Sequence, residues 1–311
     1  MLASFYFAYC ADLMAEIAGA IGQLDDQKRF QEMGQKVRKA LLDHYQTTNG
    51  RFKTDTLPYG DGKGYVDGQL GFMAHTQTAY ANAIYMDIVP PTAMPQMGDY
   101  LAELIRQNGS KLATGFLGTK PLLPALSATG HSDLAYDLFL STEFPSWGFE
   151  VANGSTTIWE RWDSCTKEDG FRYNAAMNSF NHYAFGAVCE WMFGNAADIQ
   201  AIDPGFQRFR IKPEIDPKAG PDRLGRVNAS YRSIGGLIES SWKKTNDGLV
   251  MNVTVPVNTT AEIFVPASSV GQVTVNGQKA ASSPDIKVGN IVNGHVILGV
   301  GSGSYEIKSG R

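Results

Sequence analysis

Apolar residues recur at helical spacing through the first 200 positions and alternate with polar ones through the rest. From Phe5, the residues Tyr9, Leu13, Ile17 and Ile21 repeat every fourth position and stop at Gly22, which predicts one helix, and a second is expected from Asp26 to His44. Segment 76–89 sets Ala79, Tyr80, Ala83, Ile84 and Ile88 on one stripe before Pro90 and Pro91 end it. Pro95 opens the next helix, with Met97, Leu101, Leu104 and Ile105 inward and Gly109 as its stop. Further helices are expected over 120–128, 132–141 and 177–193, separated by Gly-rich and aromatic loops at 56–72, 113–119 and 144–165. Helices paired through such loops suit a toroid of helical hairpins with its site at the loop end.

After Asp203-Pro204 the runs shorten and alternate, as in RVNASYRSI, GLIESSWKK, GLVMNVTVPV and TAEIFVP, with Asn246-Asp247-Gly248 and Asn276-Gly277 as hairpin signals. The expected organisation is a helical domain over 1–202 followed by an all-β antiparallel sandwich over 203–311.

Composition narrows the function. With 43% hydrophobic and 19% charged residues the chain can bury real cores, and 27 Lys plus Arg against 31 Asp plus Glu give a net charge of -4. That balance builds no sustained positive field for a phosphate backbone, so no nucleic-acid partner is expected. No apolar run approaches the roughly 20 residues of a membrane span, so no membrane partner is expected either. The opening MLASFYFAYCADLMAEIAGAIG lacks a basic n-region and a clear cleavage site, which favours a cytoplasmic location. Cys10, Cys165 and Cys189 are odd in number and far apart, and His44, His75, His131, His182 and His295 lack metal-ligand spacing. Neither a metal nor a cofactor is expected, and there is no P-loop and no Gly-x-Ser-x-Gly nucleophile elbow.

Candidate chemistry concentrates in FPSWGFEVANGSTTIWERWDS, residues 144–164, which packs three tryptophans, an arginine and three carboxylates into one Gly-containing loop. Sugar rings call for this combination, because their C–H faces stack on indoles while carboxylates take hydroxyl protons or do acid–base work. Trp147, Trp159 and Trp162 fit equally as core aromatics. Glu160, between two tryptophans, is either a base or half of an ion pair with Arg161 or Arg172, and Asp163 reads as a loop or capping residue. In MNSFNHYAFGAV, His182 would share a helical face with Asn178 and Phe185, as a structural histidine or as a ligand of substrate.

The strings TGFLGTKPLLPALSATGHSDLAYDLFLSTEFPSWGFEVANGSTTIWERWDS and MNSFNHYAFGAVCEWMFG, followed by a strand-rich region from FRIKPEID, resemble bacterial α-L-rhamnosidases of glycoside hydrolase family 78. The resemblance covers nearly the whole chain. It implies a catalytic (α/α)6 barrel followed by a C-terminal β-sandwich, and hydrolysis by inversion. In that reaction one carboxyl protonates the leaving oxygen and a glutamate across the ring activates water, the pair standing roughly 6.5 to 9.5 Å apart. The resemblance implies that Glu160 is the base, that His182 binds sugar hydroxyls, and that Trp147 forms an aromatic wall of the subsite. The partner would be a rhamnose-containing glycoside or polysaccharide, and a homo-oligomer is compatible with the sequence. The chain departs from the family in one respect: the acid-rich DxPxRxER stretch that carries the general acid does not occur in it. Only about seven or eight helices are read from the periodicity, fewer than six hairpins require. The expectation is therefore an incomplete barrel, made of the C-terminal helices, that lacks the general acid. The rival readings are another (α/α)6 sugar hydrolase or a phosphorylase, and a non-catalytic carbohydrate-binding fragment. No Gly-rich or basic cluster supplies the phosphate site a phosphorylase needs.

Overall fold

The computed structural model describes residues 1–53, 74–172 and 177–310, together with the backbone of two short strands at 65–66 and 69–70. The chain forms two compact units, Met1–Ala187 and Val188–Arg311.

The first unit is helical: α1 (Leu2–Ala20), α2 (Leu24–Tyr45), the two-residue strands β1 (Tyr65–Val66) and β2 (Gln69–Leu70), α3 (Gln77–Tyr85), α4 (Met94–Gln107), α5 (Phe116–Ala128), α6 (Ser132–Leu140) and α7 (Trp147–Ala152). A two-strand hairpin, β3 (Cys165–Thr166) with β4 (Gly170–Phe171), and a 3-10 turn at Tyr183–Ala187 complete it. No helix among the described residues is long and apolar enough to cross a membrane.

Small residues decide which face of α1 is buried. Phe5, Ala8, Ala11, Ala15 and Ala18 are buried, while Leu13, Ile17 and Ile21, the later members of the stripe, are exposed together with Met14. The alanines allow α2 to approach so closely that a Cβ on its buried Gly34 would lie 2.8 Å from Asp12 Oδ1, and Asp12 pairs with Arg38 across the same contact. Beyond Phe5 the apolar stripe thus runs onto the outer face of α1, because close approach of the helix backbones favours alanine over leucine on the inner one.

Helix α5 begins four residues before the expected start and contains Pro121 and Pro124. A proline has no N–H for the carbonyl four residues back. For Pro121 that carbonyl belongs to Leu117, and the side-chain amide of the fully buried Asn82 on α3 donates to it at 3.0 Å. Gly118 brings the same two helices together, since a Cβ there would meet Thr78 Oγ1 at 2.4 Å.

The helix expected over 177–193 is broken. Residues 178–182 are not helical, the 3-10 turn follows, and the second unit opens with α8 (Val188–Trp191) and a π turn at Met192–Ala196. The N–H groups of Ser179 and His182 are taken by partners across the loop, Glu160 Oε2 at 2.8 Å and Ile158 O at 2.8 Å, so they are not spent on a helix.

In the second unit the strands are β5 (Ile199–Ala201), β6 (Arg208–Ile211), β7 (Arg226–Ser233), β8 (Gly236–Thr245), β9 (Gly248–Val255), β10 (Thr260–Pro266), β11 (Val273–Val275), β12 (Gln278–Lys279), β13 (Ile286–Val292), β14 (His295–Val300) and β15 (Gly303–Gly310). They form a five-stranded sheet in the order β13-β14-β10-β6-β5 and a six-stranded sheet in the order β12-β11-β15-β9-β8-β7. The sandwich is mixed, not purely antiparallel, because β6 and β10 run parallel. Between them the chain leaves for β7, β8 and β9 in the other sheet, and that crossover returns it in the same direction. Asn276 and Gly277 both take positive φ in the two-residue turn between β11 and β12, as the Asn-Gly signal requires. The core between the sheets includes Trp242, Phe209, Ile211, Ile263, Val253, Leu298 and Ile307. Two side chains of β8 fasten the segment before β5 to this core: Trp242 N–H donates to Ala196 O at 2.7 Å and Ser240 O–H to Ala197 O at 2.8 Å.

Candidate active site

The two sequence motifs meet side by side. Glu160 N–H donates to Ser179 O at 2.9 Å, and Ser179 N–H returns a bond to Glu160 Oε2 at 2.8 Å. Two residues along, His182 N–H donates to Ile158 O, and Thr157 O–H donates to Phe180 O. Residues 157–160 and 179–182 therefore brace each other like a short strand pair. The buried Asn178 locks the next layer: it accepts from Ser164 O–H at 2.6 Å and donates to Arg172 O at 2.7 Å.

This bracing fixes the Glu160 carboxylate at the wall of a cavity of about 390 Å³ lined by Thr114, Phe116, Phe144, Glu160, Trp162 and Phe185 among others. One carboxylate oxygen is pinned by Ser179 N–H, and His182 Nδ1 stands 4.0 Å from the same oxygen. Of the two ion-pair partners considered for Glu160, Arg172 is paired with Asp163 at 3.2 Å instead. A carboxylate oriented by one bond and open to a cavity can accept a proton from a water held there.

His182 lies beside Glu160, its ring stacked on Phe116 at 4.8 Å. Trp147 is placed differently from the expected sugar wall. It is 8% exposed, its indole N–H donates to Phe185 O at 2.9 Å, and it meets Trp162 edge-on at 5.3 Å. Burial of its N–H on a carbonyl turns Trp147 into support for the wall, and the cavity itself is lined by Trp162, stacked on Phe185 at 3.9 Å. Trp159 packs edge-on against Phe180. Periodicity gave no sign of Phe116 and Phe144, the exposed rings of the cavity; their position in Gly- and Pro-flanked loops was the available signal. Asp67, an acidic residue of the expected loop 56–72, lies outside the described residues. Among the described residues no group of three or more His, Cys, Asp or Glu could hold a metal ion.

The helix α7 was not legible as a helix, and it positions this loop. Ser146 Oγ caps it by accepting from Phe149 N–H at 3.0 Å. Gly148 is required there, because a Cβ would lie 2.3 Å from the backbone oxygen of Ser141. Glu150 points inward from α7, only 2% exposed, with Oε1 lacking a hydrogen-bond partner. Burial pushes its carboxyl up to about 7, against a weaker downward pull from the Trp159 N–H. The folded chain thus holds this proton more tightly than the unfolded one. The contribution is fully present below the ordinary value of 4.5 and is lost as pH rises towards 7. Its size is on the order of 3 kcal/mol. Glu150→Gln keeps the shape and an acceptor for Trp159, so the variant is expected to lose this slope and to be the more stable protein at pH 8. Urea unfolding at pH 5 and pH 8 checks this, and equal pH slopes in the two proteins would count against it.

The chain is similar to known proteins over nearly its whole length. Residues 1–196 match the bacterial alpha-L-rhamnosidase 6 hairpin glycosidase domain, and residues 199–280 match the bacterial alpha-L-rhamnosidase C-terminal domain. An α-L-rhamnosidase of Streptomyces avermitilis is 35% identical over 306 residues, which is 98% of this chain and 26% of the relative. One from Formosa agariphila is 31% identical over 309 residues, 99% of this chain and 31% of the relative. The crystal structure of the Streptomyces avermitilis enzyme complexed with L-rhamnose matches with a TM-score of 0.81 at 34% identity, covering 98% of this chain and 26% of that one. The α-L-rhamnosidase structure from Dictyoglumus thermophilum matches with a TM-score of 0.79 at 25% identity, covering 99% and 31%. The chain spans between a quarter and a third of the length of these relatives. Six hairpins require more helices than the seven α-helices that the described residues of the first unit hold.

Proposed function

Because the chain belongs to the bacterial α-L-rhamnosidase family, we propose that it carries the base side of an inverting glycosidase site for terminal α-L-rhamnose, with Glu160 as general base. The observation that supports this best is the Glu160 carboxylate itself, pinned through one oxygen by Ser179 N–H at the wall of an open cavity. In this role Glu160 draws a proton from a water as the water attacks the anomeric carbon, on the face opposite the leaving oxygen. His182 donates to a sugar hydroxyl from its station above Phe116, and the rings of Phe116 and Trp162 cover the apolar face of the sugar. Trp147 acts one layer back, holding Trp162 and Phe185 in place.

Inversion needs two carboxyls acting together, and the acid-rich motif of the family is not in this sequence. The 311-residue chain assayed alone with an activated aryl α-L-rhamnoside is therefore expected to show negligible turnover. The same chain, put in place of the matching part of a homologous α-L-rhamnosidase, is expected to restore hydrolysis. Robust activity of the chain by itself would show that it contains a proton donor, with Asp163 and Asp67 the first residues to replace. A folded chimaera that binds rhamnose and is inactive would favour a non-catalytic sugar-binding role.

A further inference from the structure

The outer face of the six-stranded sheet carries a groove that the glycosidase chemistry leaves unused. Along β8 and β9, alternation turns Ile238, Ser240, Trp242, Met251 and Val253 into the core and Glu239, Ser241, Lys243, Asn252 and Thr254 outward. A cavity of about 490 Å³ on this face is lined by Arg226, Asn228, Ser241, Lys243 and Asn252 among others. A second, of about 440 Å³, shares Asn228, Ser241 and Asn252 with it, so the two form one groove across the strands. Pairing sets the lining in rows. In one row Asn228 stands opposite Ser241, Ser241 opposite Asn252 and Asn252 opposite Glu306, at the strand spacing of about 4.8 Å. Among the described residues the side-chain amides of Asn228 and Asn252 have no hydrogen-bond partner. In the next row Arg226 stands opposite Lys243, and among the described residues neither has a carboxylate partner. Elsewhere on the face the charges are matched: Lys308 pairs with Glu306 at 2.8 Å, and Glu239 accepts from Thr254 O–H at 2.7 Å. Like charges directly opposite each other destabilise a sheet, and an anion seated between Arg226 and Lys243 would offset that.

We propose that this groove binds a glycan strand that bears uronic acids, with one carboxylate seated on Arg226 and Lys243 and the ring hydroxyls on the row Asn228, Ser241 and Asn252. A guanidinium takes a carboxylate through two parallel bonds, and the ammonium beside it adds a point charge. Amide and hydroxyl side chains both donate and accept, which is what sugar hydroxyls require. Glu239 and Glu306 border the same groove and would repel a phosphate backbone, so nucleic acid does not fit. None of the large exposed apolar side chains among the described residues lines the groove, so a protein segment would find no anchor there. Without an aromatic platform the carboxylate supplies most of the affinity, and a neutral glycan should bind weakly. The groove lies wholly within the second unit, and the proposal does not rest on the role of Glu160.

The test is a heteronuclear NMR titration of the 311-residue chain that follows the side-chain amides of Asn228 and Asn252. The probes are tetragalacturonate, its fully methyl-esterified form and a tetra-aspartate peptide. Tetragalacturonate is expected to shift both amides and to bind about tenfold more tightly than either the ester or the peptide. Arg226→Gln and Lys243→Gln should each weaken it about tenfold, with melting temperatures no lower than the parent's because each removes the repulsion between the two cations. Lys287→Gln, which deletes an exposed charge from β13 in the other sheet, should leave the affinity unchanged. Failure of tetragalacturonate to bind, binding that shifts neither amide, or equal affinity for the ester or the peptide would each overturn the proposal. So would a loss in Lys287→Gln as large as in the two groove variants, since that would reduce the effect to diffuse surface charge.

Discussion

Glu160→Gln, made in a chimaera that hydrolyses aryl α-L-rhamnosides, is expected to lower turnover by about 10²- to 10⁴-fold with little change in KM. The glutamine keeps a side-chain oxygen for Ser179 N–H, and the backbone bond from residue 160 to Ser179 O is untouched. The loop should therefore hold its shape, while the amide can no longer take a proton from water. That separation of geometry from basicity makes the substitution informative: an unchanged melting temperature beside a large loss of turnover assigns the loss to chemistry. Turnover within a few-fold of the parent would mean that another residue is the base.

The second large effect is on stability. Trp242→Ala is expected to cost about 3 to 5 kcal/mol of folding free energy, the usual range for removing a large aromatic from a packed core. Trp242 is 1% exposed between the two sheets, and its N–H is bonded to Ala196 O. Truncation leaves a void among Phe209, Ile263 and their neighbours and strips a buried carbonyl of its partner. Urea unfolding of the parent and the variant measures the cost, and a loss under about 1 kcal/mol would show that the core collapses into the space.

How much of this was legible in the sequence depended on how local the determining contacts are. The stripe Ala79, Tyr80, Ala83, Ile84 is buried in α3, which is also buried at Gln77, Ala81 and Asn82, and the Asn276-Gly277 signal became its turn, because both elements are decided within a few residues. The face of α1 was not legible from hydrophobicity alone, since the buried residues are the alanines that let α2 approach. The helix expected over 177–193 gave way to pairing with residues 157–160, a contact between segments about 20 positions apart that no periodicity records. The mixed sandwich likewise turns on a long crossover from β6 to β10.

Within the site, residue chemistry singled out Glu160 and His182, and the structure brings them within 4.0 Å of each other, Glu160 at the cavity wall and His182 beside it. It could not say which of three buried tryptophans lines the cavity: Trp162 does, while Trp147, equally buried, turns its N–H to Phe185 O, 38 positions away. Glu150 was readable only as a lone carboxylate in the apolar run of α7; what makes it unusual is burial without a second hydrogen-bond partner.

The most direct test of Glu160 as the base of an inverting site is azide rescue of Glu160→Ala in the active chimaera, with the product's anomeric configuration read by NMR. Alanine vacates the space of the carboxylate beside the cavity, and azide is a nucleophile that needs no base. Attack from that side on an aryl α-L-rhamnoside is predicted to restore turnover and to yield the β-L-rhamnosyl azide. An α-configured azide, or no rescue from a variant that still binds L-rhamnose, would contradict the assignment.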